Sequence, residues 1–491
     1  MPKTPIVLLK TGFTLALAAA LISYTSFSQA QGNSISAKKA RVINHWTPER
    51  INKAIPRDLV IDSRGLGYLR KVDGSLEAYG RSAKPGGGGG DSTAPAISNL
   101  SPSDGTTIGS DQTFSAVITD LSGIKSVSFV VTYPNGTTTQ SFTPVFIGSD
   151  TWSIDLSGFT DGGWSWYVVA KDKGSKGGNT ATSTPSSFTV NTGTGAGGGG
   201  ETADHIVTNA AWVDKGVIQT AAGRIYFEMP ANAKRKGPWN GYVCSGTVTT
   251  DETSGRSIII TASHCVYDDA NKAFARNVLF IPNQDGTSGS GTDTNCSNDP
   301  IGCWVASFGV VDLNWANNTF PSNIAWDYAF YVVSDTGSHS AGTSASSDSL
   351  DMAAGSLPVS FAAPSVDDQD PSAASADFTH GLGYSYSEDP NFMYCAEDMT
   401  SEGTVNWWLA NCGLSGGASG GPWVQPINEL GTGPIISINS WGYTESPGMA
   451  GPKLVNTSAE CLYTVAKDIA FGLIPAVDGE EGAVIDPNDC E

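Results

Sequence analysis

Two short segments of this chain carry residue types that act together in nucleophilic hydrolysis. Thr261-Ala262-Ser263-His264-Cys265 places a histidine four residues after a run of three isoleucines, and Gly417-Ala418-Ser419-Gly420-Gly421-Pro422 places a serine in a glycine-rich loop. A serine hydroxyl is a poor nucleophile until a positioned base removes its proton. A loop of small residues also leaves backbone N–H groups free to face a developing oxyanion. We therefore predict that His264 is a general base and Ser419 a nucleophile.

The chain order of these residues separates two classes of hydrolase. The pattern Gly417-x-Ser419-x-Gly421 also fits the nucleophile elbow of α/β-hydrolases, in which the serine precedes the catalytic histidine. The last histidine here is His380, so none follows Ser419. This excludes the elbow and leaves an order of histidine, aspartate and serine.

Asp327 is the candidate carboxylate that orients the imidazole. It stands where an apolar strand pattern begins, between Trp326 and Tyr328. An acid among apolar neighbours needs a partner, because an unpaired buried charge is costly. The ring N–H of His264 would supply that partner. Asp312 and Asp351 are alternatives that lack this context.

The elements around these residues are predicted to be strands. Residues 201–491 carry strand patterns and one helical pattern, at 224–228, 242–249, 257–261, 275–281, 303–311, 327–333, 357–362 and 434–441, with the helix at 461–469. Such a segment suits a double antiparallel β-barrel. Residues 91–196 carry six more, at 113–119, 126–133, 137–142, 152–156, 164–170 and 187–190, with Asn135-Gly136 as a hairpin turn. Six short strands favour a β-sandwich. The predicted fold class is all-β.

Composition divides the chain into further parts. Residues 1–30 have the positive, apolar and small-residue regions of a secretory signal, ending in Ser28-Gln29-Ala30. Glycine runs at 86–90 and 197–200 are typical of flexible linkers. They bound three segments, which we call the leader (31–85), the middle segment (91–196) and the C-terminal segment (201–491). The leader, with a helix predicted at 48–54 and Thr47 as its cap, is interpreted as a pro-segment.

Charge is distributed unevenly between these parts. The net charge is −21, yet the leader holds eleven Lys and Arg against five Asp and Glu. An acidic protein is a poor partner for nucleic acid or an anionic membrane. We therefore expect a soluble, exported protein, extracellular or periplasmic, that does not insert into a membrane and whose basic leader docks on the acidic remainder.

All eight cysteines lie between Cys244 and Cys490. An even number confined to one region of an exported chain favours disulfides over metal. Cys296 and Cys303 have no neighbouring ligand pair, and the remaining histidines lack metal-ligand spacing. The acidic loop at 367–370 fits calcium less well than it fits a solvated loop. We predict no metal and no cofactor.

Five blocks of the C-terminal segment, in the expected order, resemble secreted bacterial trypsin-like serine proteases of the chymotrypsin superfamily. They are residues 244–248, 261–265, Trp326-Asp327-Tyr328-Ala329-Phe330, 417–423 and Ser440-Trp441-Gly442. The leader motif Trp46-Thr47-Pro48-Glu49-Arg50 is similar to pro-segments of that group. The middle segment, through residues 101–105 and 168–172, loosely resembles immunoglobulin-like or fibronectin-type modules.

The resemblance implies a role for each matching residue. His264, Asp327 and Ser419 correspond to the catalytic triad, and Pro422 and Trp423 favour Ser419 over Ser415, whose surroundings also read Gly-x-Ser-x-Gly. The N–H groups of Gly417 and Ser419 correspond to the oxyanion hole. Ser440, Trp441 and Gly442 correspond to the strand edge that binds the substrate backbone.

The resemblance also implies a disulfide between Cys244 and Cys265, which pins the histidine turn. Proximity and order alone indicate the pairs Cys296–Cys303, Cys395–Cys412 and Cys461–Cys490.

The sequence departs from trypsin-like enzymes at the specificity and activation positions. Ala418 replaces the aspartate that pairs with a newly cut N-terminus, so activation must proceed otherwise. Gly413 stands where trypsin has its specificity aspartate, and Asn439 is not the histidine of glutamate-specific relatives. Cys412 also lies further from the serine than usual. Neither charged preference is therefore predicted.

We expect a secreted serine endopeptidase that hydrolyses proteins or peptides. Two alternatives from another class remain open. One is a catalytically silent binding protein on a protease-like scaffold. The other is an adhesin whose function lies in the middle segment.

Overall fold

The protein, described here as a computed structural model, is built mainly of β-sheets, as the all-β prediction requires. The described residues are 35–62, 64–80, 94–108, 111–120, 123–134, 137–148, 151–160, 162–173, 178–190, 206–290, 295–336, 339, 349–366, 375–444, 446–474, 476–477 and 480–490. The signal sequence, both glycine runs, the Asn135-Gly136 turn, His205 and the 367–370 loop lie outside them. No helix within the described ranges is long and apolar enough to cross a membrane.

The largest sheet of the C-terminal segment carries the histidine and aspartate side of the candidate site. Its strands lie in the order Trp304–Val305, Arg276–Pro282, Ala222–Pro230, Trp239–Thr249, Arg256–Thr261, Ala329–Ser334, Phe308–Asp312, Glu480–Ile485 and Ala476–Val477, with Ile55–Pro56 beside Trp239–Thr249. A two-stranded sheet, Tyr267–Asp268 with Ala273–Phe274, follows the histidine turn. The strand Arg256–Thr261 is buried along its whole length, as its three isoleucines require.

Two further sheets carry the serine side. One has the order Val207–Ala211, Met393–Asp398, Phe378–Gly383, Pro422–Val424 and Ile435–Ile438. The other has the order Thr400–Glu402, Asn406–Leu409, Met449–Pro452, Trp441–Tyr443, Asp58–Ile61, Gly67–Arg70 and Leu76–Ala78. The last three of these strands belong to the leader. One core contains residues from all three large sheets.

The leader has more structure than the sequence predicted. A helix covers residues 35–45, and a second helix is the single turn Pro48–Ile51, shorter than the predicted 48–54. Thr47 is the N-cap residue, but its side chain makes no capping hydrogen bond. The four leader strands were not predicted; Ile55–Pro56 has its partner only in the C-terminal segment, and Asp58–Ile61 has one of its two partners there.

The middle segment forms two sheets that share one core. Their strands are Val145–Gly148, Thr151–Ser157, Asp111–Thr119 and Ala96–Ser101 in one sheet, and Thr106–Ile108, Ser186–Val190, Gly162–Asp172, Ile124–Thr132 and Thr139–Phe142 in the other, with Thr180–Thr182 beside Gly162–Asp172. All six predicted strands are confirmed to within a few residues. The four missed strands are short or at an edge, where the alternation of apolar residues is weakest.

Helices of the C-terminal segment are short. They are Val217–Ala221, Leu313–Asn317, Leu350–Ala354 and Ala459–Asp468, with 3₁₀ turns at Ser263–Cys265, Gln284–Gly286, Cys296–Asn298, Ile324–Trp326, Phe471–Leu473 and Pro487–Asp489. Ala459–Asp468 confirms the predicted helix. The strand predicted at 357–362 is wrong, because only the isolated bridges of Leu357 and Val359 form there. The patterns at 303–311 and 434–441 are each divided into two strands by two residues that are not in a strand.

Candidate active site

Two paired strands bring His264 and Asp327 together. His264 lies on the 3₁₀ turn Ser263–Cys265, directly after the strand Arg256–Thr261. Asp327 directly follows the turn Ile324–Trp326, and two residues later begins the strand Ala329–Ser334. The two strands are antiparallel, with Thr261 opposite Ala329, so the start of one meets the end of the other.

The carboxylate of Asp327 holds the histidine by two hydrogen bonds. Its Oδ2 lies 2.7 Å from His264 Nδ1, and its Oδ1 accepts the backbone N–H of His264 at 2.8 Å. His264 is fully buried and Asp327 is 1% exposed. This geometry places the ring hydrogen on Nδ1 and leaves Nε2 as the basic nitrogen. Asp327 therefore has the contacts of an orienting carboxylate.

Asp327 accepts a third hydrogen bond, which the sequence did not predict. The hydroxyl of Ser440 donates to Oδ2 of Asp327, although Ser440 was expected only to bind a substrate backbone. The hydroxyl of Ser263 donates to the carbonyls of Trp326 and Tyr328, at 3.0 and 2.7 Å, and so holds the chain on both sides of Asp327. Serine is common on surfaces, so neither hydroxyl carried a sequence signal.

Ser419 lies near this pair, and contacts of its backbone carbonyl fix its position. Its carbonyl accepts the N–H of Ser245 at 2.7 Å and lies 3.9 Å from the Sγ of Cys265. Cys265 is next to His264 and forms the predicted disulfide with Cys244. Ser419 is 6% exposed. The structure thus pairs Asp327 with His264, and it places the backbone of Ser419 against the disulfide next to His264.

The loop before Ser419 has the backbone of a potential oxyanion site. Gly417 has a φ of +99°, and a Cβ there would lie 2.9 Å from the carbonyl oxygen of Tyr384, so glycine is required. The side-chain amide of Asn439 donates to the carbonyl of Ala418 at 2.9 Å and so fixes the loop. Within the described part of the chain, the N–H groups of Gly417 and Ser419 donate no hydrogen bond. They are available to a ligand.

One polar atom at the centre of this arrangement has no partner. Nε2 of His264 is buried, and no hydrogen bond to it forms among the described residues. Buried polar atoms are nearly always hydrogen-bonded, so this unpaired nitrogen, which the Ser419 hydroxyl does not contact, requires an explanation.

The rival residues lie elsewhere. The hydroxyl of Ser415 contacts that of Ser387 at 2.7 Å. Asp312 caps the helix Leu313–Asn317 and accepts the hydroxyl of Ser458. Asp351 accepts hydrogen bonds from Ser257 and Ser349. No described contact links any of them to His264.

Of the residues expected to bind a substrate, Gly413 is exposed, whereas Trp441 and Gly442 are covered by the leader. Gly413 is exposed, and its N–H donates to the carbonyl of Thr208 at 2.6 Å. Trp441 and Gly442 pair, in parallel, with Leu59 and Val60 of the leader. The strand edge expected to receive a substrate is therefore occupied by the protein's own chain.

Leader residues also lie directly at the triad. The carbonyl oxygen of Arg57 lies 3.5 Å from the hydroxyl of Ser419. Burial raises the pKa of Asp58 to about 6, an effect opposed by the charges of Arg70 and His264. The Asp58 side chain packs against Gly416, where an added Cβ would lie 2.8 Å from the Cβ of Asp58. The sequence offered no local signal for this position.

Cysteines of this region do not form a metal site. Sulfur atoms of Cys244 and Cys265 lie within 4.8 Å of a ring nitrogen of His264, a distance that suits a shared ion. Both sulfurs are consumed by the disulfide and are not thiolate ligands. The other predicted pairs, Cys296–Cys303, Cys395–Cys412 and Cys461–Cys490, are also disulfides in the structure.

The chain matches no model of a known protein family, and no curated protein matches it.

Proposed function

We propose that this protein is an exported serine endopeptidase, extracellular or periplasmic, that cleaves proteins or peptides without a cofactor. The supporting observation is the buried His264–Asp327 pair, together with the contact of the Ser419 carbonyl with Cys265, the residue next to His264. Two backbone N–H groups beside Ser419 are also free to bind an oxyanion. These are the parts that acyl transfer by serine requires.

Each residue has a defined part in the proposed reaction. Ser419 Oγ attacks the peptide carbonyl carbon while Nε2 of His264 takes the hydroxyl proton. Asp327 stabilises the resulting imidazolium, and the N–H groups of Gly417 and Ser419 stabilise the oxyanion. His264 then gives its proton to the leaving amine, and the acyl-enzyme forms. Water, deprotonated by the same nitrogen, hydrolyses the ester and frees Ser419.

The sheets fit this function. The sheets of the C-terminal segment, with His264 and Asp327 on one and the Ser419 loop between the others, correspond to the two barrels of the chymotrypsin superfamily. The two sheets of the middle segment around one core correspond to an immunoglobulin-like sandwich. We assign the middle segment an accessory role as a spacer or surface binder. Trp164 and Trp166 are buried in its core, so they serve packing and not ligand binding.

The leader makes the proposed enzyme latent. It pairs with the Trp441–Tyr443 strand and places the Arg57 carbonyl at the nucleophile, so no substrate backbone can enter. Ala418 cannot form the ion pair that activates trypsin-like zymogens. Removal of the leader is therefore the activating step in this proposal.

A serine-directed fluorophosphonate tests the proposal on the full-length chain. Leu59→Asp opens the cleft, because it places an unpaired charge at a fully buried leader position. We expect one adduct, mapped to Ser419 by mass spectrometry. It should disappear in L59D/S419A and remain in the matched control L59D/S415A. His264→Ala should slow labelling by about 10²–10⁴-fold.

The rival hypothesis of a silent binding protein gives the opposite outcome. It predicts that folded L59D protein, checked by circular dichroism, acquires no adduct at Ser419. An adduct that persists in L59D/S419A would likewise contradict the assignment of the nucleophile.

A further inference from the structure

Two buried carboxylates beside the candidate triad hold an arginine of the leader. Asp268 and Asp269 follow His264 by four and five residues and are 3% and 0% exposed. The guanidinium of Arg57, 1% exposed, lies 3.6 Å from Asp268 and 4.0 Å from Asp269. The ring of Tyr242 lies 5.5 Å from the Arg57 guanidinium carbon. We call Asp268, Asp269 and Tyr242 the acidic pocket.

Donors of the C-terminal segment hold both carboxylates in addition to the contacts that the leader makes. Asp268 Oδ1 accepts the backbone N–H groups of Ala270 and Asn271 at 3.0 and 2.9 Å. Asp269 Oδ2 accepts the N–H of Phe320 at 2.7 Å and the amide of Asn323 at 3.0 Å. The acidic pocket is therefore built before any cation enters it, which lowers the free-energy cost of binding.

The cation in the pocket comes from the leader alone. Arg57 donates to the hydroxyl of Tyr79, which in turn contacts both carboxylates. The Nε of Arg57 is buried and has no partner among the described residues. Burial raises the pKa of Asp269, which shows how unfavourable the ionised carboxylate is in this position. When the leader leaves, it removes the guanidinium and the phenol together and leaves two adjacent carboxylates in the open cleft.

The acidic pocket lies where a residue next to the reacting bond would place its side chain. The carbonyl of Arg57 is 3.5 Å from the hydroxyl of Ser419, while its side chain fills the pocket. Gly413 provides no charge at the position where trypsin has its aspartate.

We propose that in the opened enzyme Asp268 and Asp269 form a subsite for an arginine or lysine side chain of the substrate, adjacent to the scissile bond. This rests on the proposed endopeptidase function. Selection for a cation then comes from the histidine side of the cleft. Arginine fits best, because its planar guanidinium can contact both carboxylates and stack on Tyr242.

Matched peptides test the subsite in the full-length L59D variant. In each pair, arginine is replaced by citrulline, its neutral isostere, at one of the two positions on either side of the scissile bond. At one position we expect kcat/KM to be roughly 10- to 100-fold higher for arginine, as for a charge-assisted hydrogen bond. Asp268→Asn and Asp269→Asn should each reduce this ratio, and the control Asp351→Asn, a carboxylate outside the cleft, should keep it.

The outcomes separate the two proposals. Failure to cleave any peptide and to label Ser419 overturns the endopeptidase proposal. Cleavage with equal rates for arginine and citrulline at all positions overturns the subsite alone, as does a ratio that survives D268N/D269N.

A binding measurement covers the case in which the aspartate variants do not fold. Arg57→Ala in the full chain removes the guanidinium from the acidic pocket. Propylguanidinium should then raise the Tm of this variant saturably. N-propylurea, the neutral analogue, should not. Equal Tm values with both compounds would contradict a cation site.

Discussion

The leader and the middle segment both precede the C-terminal segment, yet they bury their apolar residues in different ways. The middle segment has its own core, in which every buried member lies between Ile108 and Val190. The leader has none: Leu59 and Ile61 belong to the core of the C-terminal segment, and Trp46 packs with Tyr226 and Val243. One region buries its apolar residues in a core of its own, and the other buries them against the surface that it covers.

This difference implies that the two segments respond differently to removal or mutation. A segment with its own core can be lost or changed without effect on a distant cleft. A segment that has no core of its own and packs on its partner exposes the surface beneath when it is removed. Lys38 with Glu481 at 2.6 Å, and His45 with Glu228 at 3.0 Å, add polar contacts at the rim of the leader interface. The leader therefore has the contacts of a detachable cover.

The largest expected effect lies in the middle segment. Trp166 is fully buried, contacts Phe114 and Phe129 edge-on, and donates to the carbonyl of Pro102 at 2.9 Å. Trp166→Ala should lower the free energy of unfolding of this segment by about 3–5 kcal/mol. Differential scanning calorimetry should show one transition shifted, with Ser419 labelling in L59D unchanged. A matching shift in the transition of the C-terminal segment would contradict the claim that the middle segment has an independent core.

The corresponding change in the leader should open the cleft. Leu59 is fully buried opposite Trp441. Leu59→Ala should weaken leader docking by about 2–5 kcal/mol. Ser419 in the full chain should then react with fluorophosphonate at least about tenfold faster. Val72→Ala, at an exposed leader position, is the control. An unchanged rate in L59A would show that the leader does not cover Ser419.

Ser440 sharpens the comparison, because it immediately precedes the strand that the leader covers. Ser440→Ala removes a donor from the buried Asp327 and should lower kcat/KM of the opened enzyme about tenfold, as expected for a hydrogen bond to a charged group. Ser437→Ala removes a buried hydroxyl bond to the carbonyl of Pro452 on the same side of the core. If both variants lose activity equally, the role of Ser440 is packing and not orientation of Asp327.

The smallest expected effect is the pH dependence of the cover. The pKa of Asp58 rises from 3.8 to about 6 when it is docked, so docking favours its protonated form. Leader binding should be strongest below about pH 4, weaken as pH rises to about 6, and then level off. Labelling of the full chain relative to L59D, measured across this range, should rise severalfold. Asp58→Asn should abolish that rise, and a rise that persists in D58N would assign it to another group.

Much of the candidate site was predictable, because its residue types are unusual in their local context. His264 after three isoleucines, Asp327 at the start of an apolar run and Ser419 among glycines each have a local signature, and the structure pairs the first two by a hydrogen bond. Three of the disulfides followed from proximity and order, and the resemblance implied the pair Cys244–Cys265. The strand at 357–362 failed because an apolar run does not form a strand without a partner at the required position.

The sequence by itself determined the β-rich architecture, the cysteine pairs and the identity of the three candidate catalytic residues, since these depend on local pattern and composition. Only the tertiary structure decided that Ser440 donates to Asp327, that the leader fills the cleft, and that Arg57 lies between Asp268 and Asp269. Arg57 and Ser419 are 362 residues apart in the chain. Contacts at such separation depend on complementary surfaces formed by folding, and no local pattern of residues encodes them.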